Sequence, residues 1–514
     1  MSSPDTKTNP PRVRAHEAVP LAPVADLAWS ADRARDLGTR VVALWGELLD
    51  RLPTLPVGGR ASAAEVRAAV TRDIPTEPLE IDELVDALRT IAFEHSTYPG
   101  HSGFMAYITG AGTVPGAAAD LLAAALNQNV GGFRLSPAAT EIELHLGRWF
   151  ASRFGLPGTA GGYVTSGGAM ASFTALKAAR DAKAGWSIRE LGVRGGSPLT
   201  MYASSEVHDV NTRAADMLGL GRDGVRQIAC DAHLRMRIDA LRSAIARDVR
   251  NGNQPIAVIA TAGTVSTGAI DPLNDIADVC AEHGLWMHVD GAYGGTAALT
   301  DSLRPLFRGI ERADSVAFDP HKWLYTPHSG GAIVVRDMQT LENAFAIEPS
   351  YTHEDKELTL RGTDLFALGP QFSRGFHALK IWVSLLAHGW AAYERRIAHD
   401  VALAKYLYER ASAHPELEAM GSAPDLSIAC FRYVPRELRG DATAEPYLNS
   451  LNERIMAELQ LGGRVFPSNA VLGGKFVLRA CVVNFRTEVA DIDALVAQTA
   501  EQGARLHARA SCMD

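Results

Sequence analysis

Between residues 100 and 380 short, almost unbroken apolar runs alternate with helical periods, and few architectures accept that texture. The runs fall at residues 163–165, 200–203, 256–261, 286–289, 315–318 and 332–335, with helical patterns near 171–184, 237–249 and 273–283 between them. A strand that alternates apolar and polar residues keeps one wet face, whereas a strand apolar throughout is buried on both. Such strands alternating with helices predict an α/β fold with a mainly parallel central sheet covered on its two faces. Sheets of that kind bind ligands outside the carboxyl ends of their strands.

The flanks read differently. Residues 1–25 are polar and proline-bearing and are expected to form a disordered tail. Residues 26–98 carry apolar positions at i, i+3 and i+4, broken by Pro53, Pro56 and Gly58-Gly59, and predict a helical segment that calls for a partner surface. Residues 99–384 form the large α/β domain of this reading, and residues 385–514 mix helices and strands as a smaller C-terminal α+β domain. A chain of 514 residues with 47% hydrophobic and 21% charged side chains has ample material for cores of that size. Its 50 basic and 59 acidic residues leave a net charge of −9, which argues against a nucleic-acid partner. Five scattered cysteines (Cys230, Cys280, Cys430, Cys481 and Cys512) have neither disulfide-scaffold nor metal-ligand spacing, so no metal is expected. The most apolar stretch, residues 115–126, is interrupted by Asp120 and is too short to span a bilayer. With no signal-peptide pattern at the start, the expectation is a cytoplasmic protein without a membrane partner.

Two strand ends carry the chemistry. The sequence Ala317-Phe318-Asp319-Pro320-His321-Lys322-Trp323 places a lysine just beyond an apolar strand, between Pro320 and Trp323. An apolar setting disfavours the ammonium form and frees the amine as a Schiff-base nucleophile. A lysine taken alone is far more often a solvated surface charge. In Trp286-Met287-His288-Val289-Asp290-Gly291 an aspartate closes another apolar strand, followed by small residues that leave room for a flat ring. Alone, Asp290 reads equally well as a helix N-cap. A lysine for an aldehyde carbon and an aspartate for a pyridinium nitrogen are the pairing that a pyridoxal phosphate site needs. Thr165-Ser166-Gly167-Gly168-Ala169 turns from strand into helix, where backbone N–H groups and the helix terminus suit a phosphate. His208 follows a further strand and is placed to stack on the ring's open face, although a lone histidine is more often structural.

These motifs, in this order, resemble the group II family of pyridoxal-phosphate-dependent amino acid decarboxylases over residues 95–490. The resemblance rests also on Ser136-Pro137-Ala138-Ala139-Thr140-Glu141, Thr261-Ala262-Gly263-Thr264 and His321-Lys322-Trp323. It implies the aspartate-aminotransferase-like fold (type I), a homodimer, and decarboxylation of an L-amino acid to an amine. It further implies Lys322 as the cofactor's covalent anchor, Asp290 at the pyridine nitrogen and His208 stacked on the ring. Gly167, Gly168 and Ala169 would hold the phosphate, Thr261 would lie near the ring hydroxyl, and Asp319 and His321 would border the cofactor. Tyr351, in Glu348-Pro349-Ser350-Tyr351-Thr352, matches the loop tyrosine that returns a proton to the substrate carbon, and Tyr107 falls with the substrate-binding residues. The aromatic branch is favoured, with an acidic or other amino acid as the alternative. A polar stretch, Asn127-Gln128-Asn129, precedes the Ser136-Pro137 motif where aromatic-specific members are more hydrophobic. Relatives that release an aldehyde replace the loop tyrosine or the histidine, and this chain has both. Loss of Lys322 or Asp290 would instead mark a binding or regulatory protein on the same fold. Asp319 stands where several aromatic members carry asparagine, and an anion there is expected to point away from the phosphate.

Overall fold

The apolar runs form the strands of a seven-stranded sheet in the computed structural model, which describes residues 27–347 and 362–511. The tail expected over residues 1–25 lies outside the described residues. A first short strand, β1 (Phe104–Met105), belongs to a second sheet. The large sheet comprises β2 (Gly161–Thr165), β3 (Leu199–Ser204), β4 (Val225–Ile228), β5 (Gln254–Thr261), β6 (Trp286–Asp290), β7 (Ser315–Phe318) and β8 (Gly331–Val335). Its order is β2-β8-β7-β6-β5-β3-β4, with only β8 antiparallel to its neighbours. Every residue of β2, β3, β6, β7 and β8 is buried, so unbroken hydrophobicity did mark burial on both faces.

Helix Gly168–Lys183 lays Ala171, Ala175, Ala178 and Ala179, all fully buried, onto that sheet. Helix Pro137–Phe154 comes closer still, because a Cβ on Gly147 would stand 2.1 Å from the Gly162 carbonyl oxygen of β2. Only glycine permits that approach.

The second sheet runs β1-β11-β12-β10-β9, from β9 (Leu417–Met420), β10 (Ile428–Tyr433), β11 (Phe466–Leu472) and β12 (Lys475–Cys481). Residues 104–105 therefore pair with the C-terminal part of the chain, parallel to Phe466 and Pro467. Helices Trp390–Ala413, Glu445–Gly462 and Val489–Ser511 pack around it. Ahead of both sheets stand the helices Ala31–Arg51, Ala63–Val70 and Ile81–Glu94. The first buries only Leu44 and the other two bury nothing, while Val42, Leu88 and Ile91 face outward. Among the described residues no helix is long and apolar enough to cross a membrane.

Candidate active site

Parallel register brings the site together. Thr261 at the end of β5 lies opposite Asp290 at the end of β6, and Asp290 lies opposite Ala317 of β7, two residues before Asp319. Asp290 is buried, with the Ala292 N–H donating to Oδ1 at 3.1 Å and the Asn211 amide donating to Oδ2 at 2.6 Å. Two donors satisfy and orient this buried carboxylate. Two residues back on β6, fully buried His288 faces Ser315, whose Oγ lies 2.9 Å from Nδ1 and accepts the Trp286 indole N–H at 2.8 Å. Burial pushes that imidazole down to about 4, so it is neutral at pH 7.

Lys322 rides on a single helical turn, Pro320–Trp323, that follows β7 directly. Its Nζ lies 2.9 Å from Asp319 Oδ2, with 19% of the side chain exposed. The apolar setting expected from sequence is thus corrected. Asp319 follows the last residue of β7 and reaches the lysine three residues on, so a carboxylate meets the amine. Nor does Asp319 point away from the phosphate loop. A Cβ added to Gly168 would stand 2.7 Å from Asp319 Oδ2, so the carboxylate lies against the amino end of helix Gly168–Lys183, where partial positive charge and Lys322 offset its burial. His321 bonds through Nδ1 to the Gly330 carbonyl at 2.6 Å and lies against His328, with ring centroids 4.3 Å apart and the planes tilted by 40°.

The turn itself is locked from below. Trp323 is fully buried, stacks on Tyr293 with ring centroids 5.0 Å apart, and donates its indole N–H to Asp400 at 2.9 Å. The Tyr325 hydroxyl donates to the same Asp400 oxygen at 2.5 Å, while Arg396 Nε holds the other at 2.8 Å. Burial pushes the Asp400 carboxyl up against the pull of Arg396. Arg396 continues to the Asn484 and Thr487 carbonyls, so one network ties the lysine turn to the chain after β12.

Around these groups several polar atoms face no partner among the described residues. Thr261 Oγ1 and Asp319 Oδ1 are buried without a hydrogen bond among the described residues. At Gly167 an added Cβ would meet only His321 Cε1, 3.9 Å away, leaving open space over the turn. Buried Arg479 on β12 donates to the Tyr107 carbonyl at 2.9 Å and to Ser468 at 3.2 Å, yet its Nε and Nη2 have no partner among the described residues. Unpaired donors and acceptors around an open space next to a lysine and an aspartate fit a polar, phosphorylated pyridine well. His208 is exposed and caps helix Asp209–Met217, its Nδ1 accepting the Val210 N–H at 3.1 Å, so the ring nitrogen left for other work is Nε2. Tyr107 adopts φ +54°, is 64% exposed as a residue, and touches the site through its backbone on Arg479. Tyr351 lies outside the described residues. Sequence reasoning missed Asn211, Asp400 and the orphaned donors of Arg479. Only Arg479 carried a local signal, a charged residue within the apolar strand β12.

Fold and site together define an enzyme of the pyridoxal phosphate class. The family model described as the pyridoxal-dependent decarboxylase conserved domain matches residues 64–434. An aromatic-L-amino-acid decarboxylase of Bacillus atrophaeus is 34% identical over 463 residues, which cover 90% of this chain and 94% of that protein. A phenylacetaldehyde synthase of Arabidopsis thaliana is 26% identical, covering 88% of this chain and 92% of its own. Among solved structures, one of Oryza sativa TDC with PLP and tryptamine superposes with a TM-score of 0.87 at 27% identity, covering 93% of this chain and 99% of that one. The chain belongs to the pyridoxal-dependent decarboxylase family and is a carboxy-lyase that uses pyridoxal phosphate.

Proposed function

We propose that this chain decarboxylates an aromatic L-amino acid to its amine, acting as a cytoplasmic homodimer. The observation that carries the reading is the pairing of Lys322 and Asp290 on adjacent parallel strand ends, in a chain similar to an aromatic-L-amino-acid decarboxylase. Bound there, pyridoxal phosphate supplies the electron sink for the pair left when carbon dioxide departs. Lys322 holds the cofactor, and Asp319 at 2.9 Å is placed to take or return a proton at Nζ. Asp290 keeps a negative charge against the ring nitrogen, which sustains the sink. Gly167, Gly168 and Ala169 bind the phosphate at the helix terminus, while Thr261, with its unpaired Oγ1, serves the ring hydroxyl. The unpaired donors of Arg479 suit the substrate carboxylate. His208 covers the ring, and Tyr351 returns the proton to the substrate carbon.

The similar aldehyde synthase makes an oxygen-consuming outcome the specific rival. A panel of L-amino acids incubated with the holoenzyme separates the two. Carbon dioxide and amine in equal amounts, greatest for tyrosine, tryptophan or phenylalanine, support the proposal. Hydrogen peroxide with aldehyde would replace it by the rival, and an absence of carbon dioxide from every amino acid would end both.

A further inference from the structure

Asn211 is buried to 0% exposure on helix Asp209–Met217, three residues after His208. Its amide nitrogen faces two acceptors, Asp290 Oδ2 at 2.6 Å and the His208 carbonyl at 3.4 Å, so the orientation of the amide is settled by its surroundings. The price is Oδ1, which is buried with no partner among the described residues. An apolar side chain of similar size would fill the same slot without stranding an acceptor.

The helix has no need of this amide. His208 already caps it through the Val210 N–H, and the Asn211 backbone N–H reaches the His208 carbonyl at 3.0 Å. What the amide does serve is Asp290. With the Ala292 N–H on Oδ1 and Asn211 on Oδ2, the carboxylate is held by one donor on each oxygen. Each oxygen keeps a second lone pair, and the carboxylate plane can no longer turn freely.

We propose that Asn211 is a positioning residue for the cofactor. It fixes the Asp290 carboxylate so that a remaining lone pair is presented to the pyridine nitrogen, and it couples that carboxylate to helix Asp209–Met217, which His208 caps. The inference rests on the reading of Asp290 as the pyridine partner. It adds a determinant of cofactor affinity that lies on a different element from Asp290 and Lys322.

The test uses apoenzyme titrated with pyridoxal phosphate, followed by quenching of tryptophan fluorescence, together with thermal unfolding of the apo and loaded forms. Asn211→Leu fills the slot and Asn211→Ala empties it, and both remove the donor. Each is expected to weaken cofactor binding about tenfold or more, as loss of a hydrogen bond to a charged group does. A ligand stabilises only the state that binds it, so the gap in Tm between loaded and apo protein should shrink in both variants. A purely structural role would lower the two Tm values together and leave the gap unchanged. In an Asp290→Asn background the further effect of Asn211→Leu should vanish, because the two act through one contact. Affinity within twofold of the parent in either folded variant overturns the inference. So does unfolding of both apo variants, which would assign Asn211 to the fold. Failure of the parent itself to bind pyridoxal phosphate would instead strike the reading of Asp290.

Discussion

At the carboxyl ends of β5, β6 and β7 polar groups are buried and held by partners far away in the chain, whereas in helices Ala31–Arg51 and Ile81–Glu94 ion pairs lie in water and apolar side chains stay outside. Asp290 draws on Asn211, 79 residues away, and Asp400 draws on Trp323 and Tyr325, more than 70 residues away. Across the two helices Arg89 grips Glu47 at 2.6 and 2.8 Å, and Arg40 reaches Asp82, all at the surface, while Val42, Leu88 and Ile91 are left uncovered. Exposed ion pairs add little to stability. The apolar groups are therefore what those helices have to offer, and nothing among the described residues takes them up. One region is organised in advance by its own fold. The other leaves its apolar side chains exposed among the described residues.

The sharpest way to break that contrast is at the lysine. Lys322→Ala leaves the Trp323–Asp400 lock in place, since the indole and Tyr325 do not depend on Nζ. The variant is expected to fold with an unchanged circular dichroism spectrum yet lose activity on the order of 10⁴-fold or more, as loss of a covalent nucleophile does. It should also purify without the yellow colour of bound cofactor. A folded Lys322→Ala protein that keeps substantial activity would mean that the strand-end site is not where the chemistry happens.

Next in size comes the other region. Val42→Asp together with Ile91→Asp puts charge on faces that are apolar and exposed in the single chain. If a second copy covers those faces, burying two carboxylates there is costly, and the dimer should give way to monomer in sedimentation equilibrium. Activity is expected to fall about tenfold or more, while both sheets keep their circular dichroism. A double variant that remains dimeric would show that the helices serve some other surface.

How much of this was legible in the sequence follows the same division. Strands buried on both faces announced themselves, and β3, β6 and β7 fall within about a residue of their expected bounds. The edge strand β4, Val225-Arg226-Gln227-Ile228, was not picked out because an edge needs no apolar run, and of its middle residues Arg226 is half-buried and Gln227 exposed. The two-residue β1 has no period at all. Lys322, Asp290 and Gly167-Gly168 could be read because each follows a strand locally. Asn211 and Asp400 could not. Asn211 falls in the first turn of a helix, where a polar residue is ordinary, and Arg396–Asp400 looks like a surface i,i+4 pair until Trp323 and Tyr325 arrive from elsewhere. Local pattern reports burial, whereas hydrogen-bond partners across 80 residues depend on tertiary register.

The smallest effect sharpens the comparison through pH. Asp271 accepts the Thr261 N–H at 2.8 Å and the Met236 N–H at 2.7 Å, so it pins the end of β5 beside the site. Burial pushes its carboxyl up to about 6, and the two backbone donors offset this only in part. A carboxyl whose pKa is higher in the folded than in the unfolded chain contributes stability below pH 4, and that contribution is lost as pH rises through 6. From pH 5 to 7.5 the group should therefore withdraw about 1–2 kcal/mol from the folded protein. In Asp271→Asn this share of the pH dependence is absent, so the stability gap between parent and variant should narrow by that amount across the interval in urea unfolding. Glu47 is the matching control in the exposed region. Arg89 and Arg51 hold its carboxyl down to about 2, so its own contribution is complete above pH 4.5 and fades only toward pH 2. Glu47→Gln should accordingly run parallel to the parent from pH 5 to 7.5. Parallel curves for Asp271→Asn as well would show that Asp271 is already ionised in the folded protein throughout that interval, and burial of this carboxyl would then not separate the two regions in their response to pH.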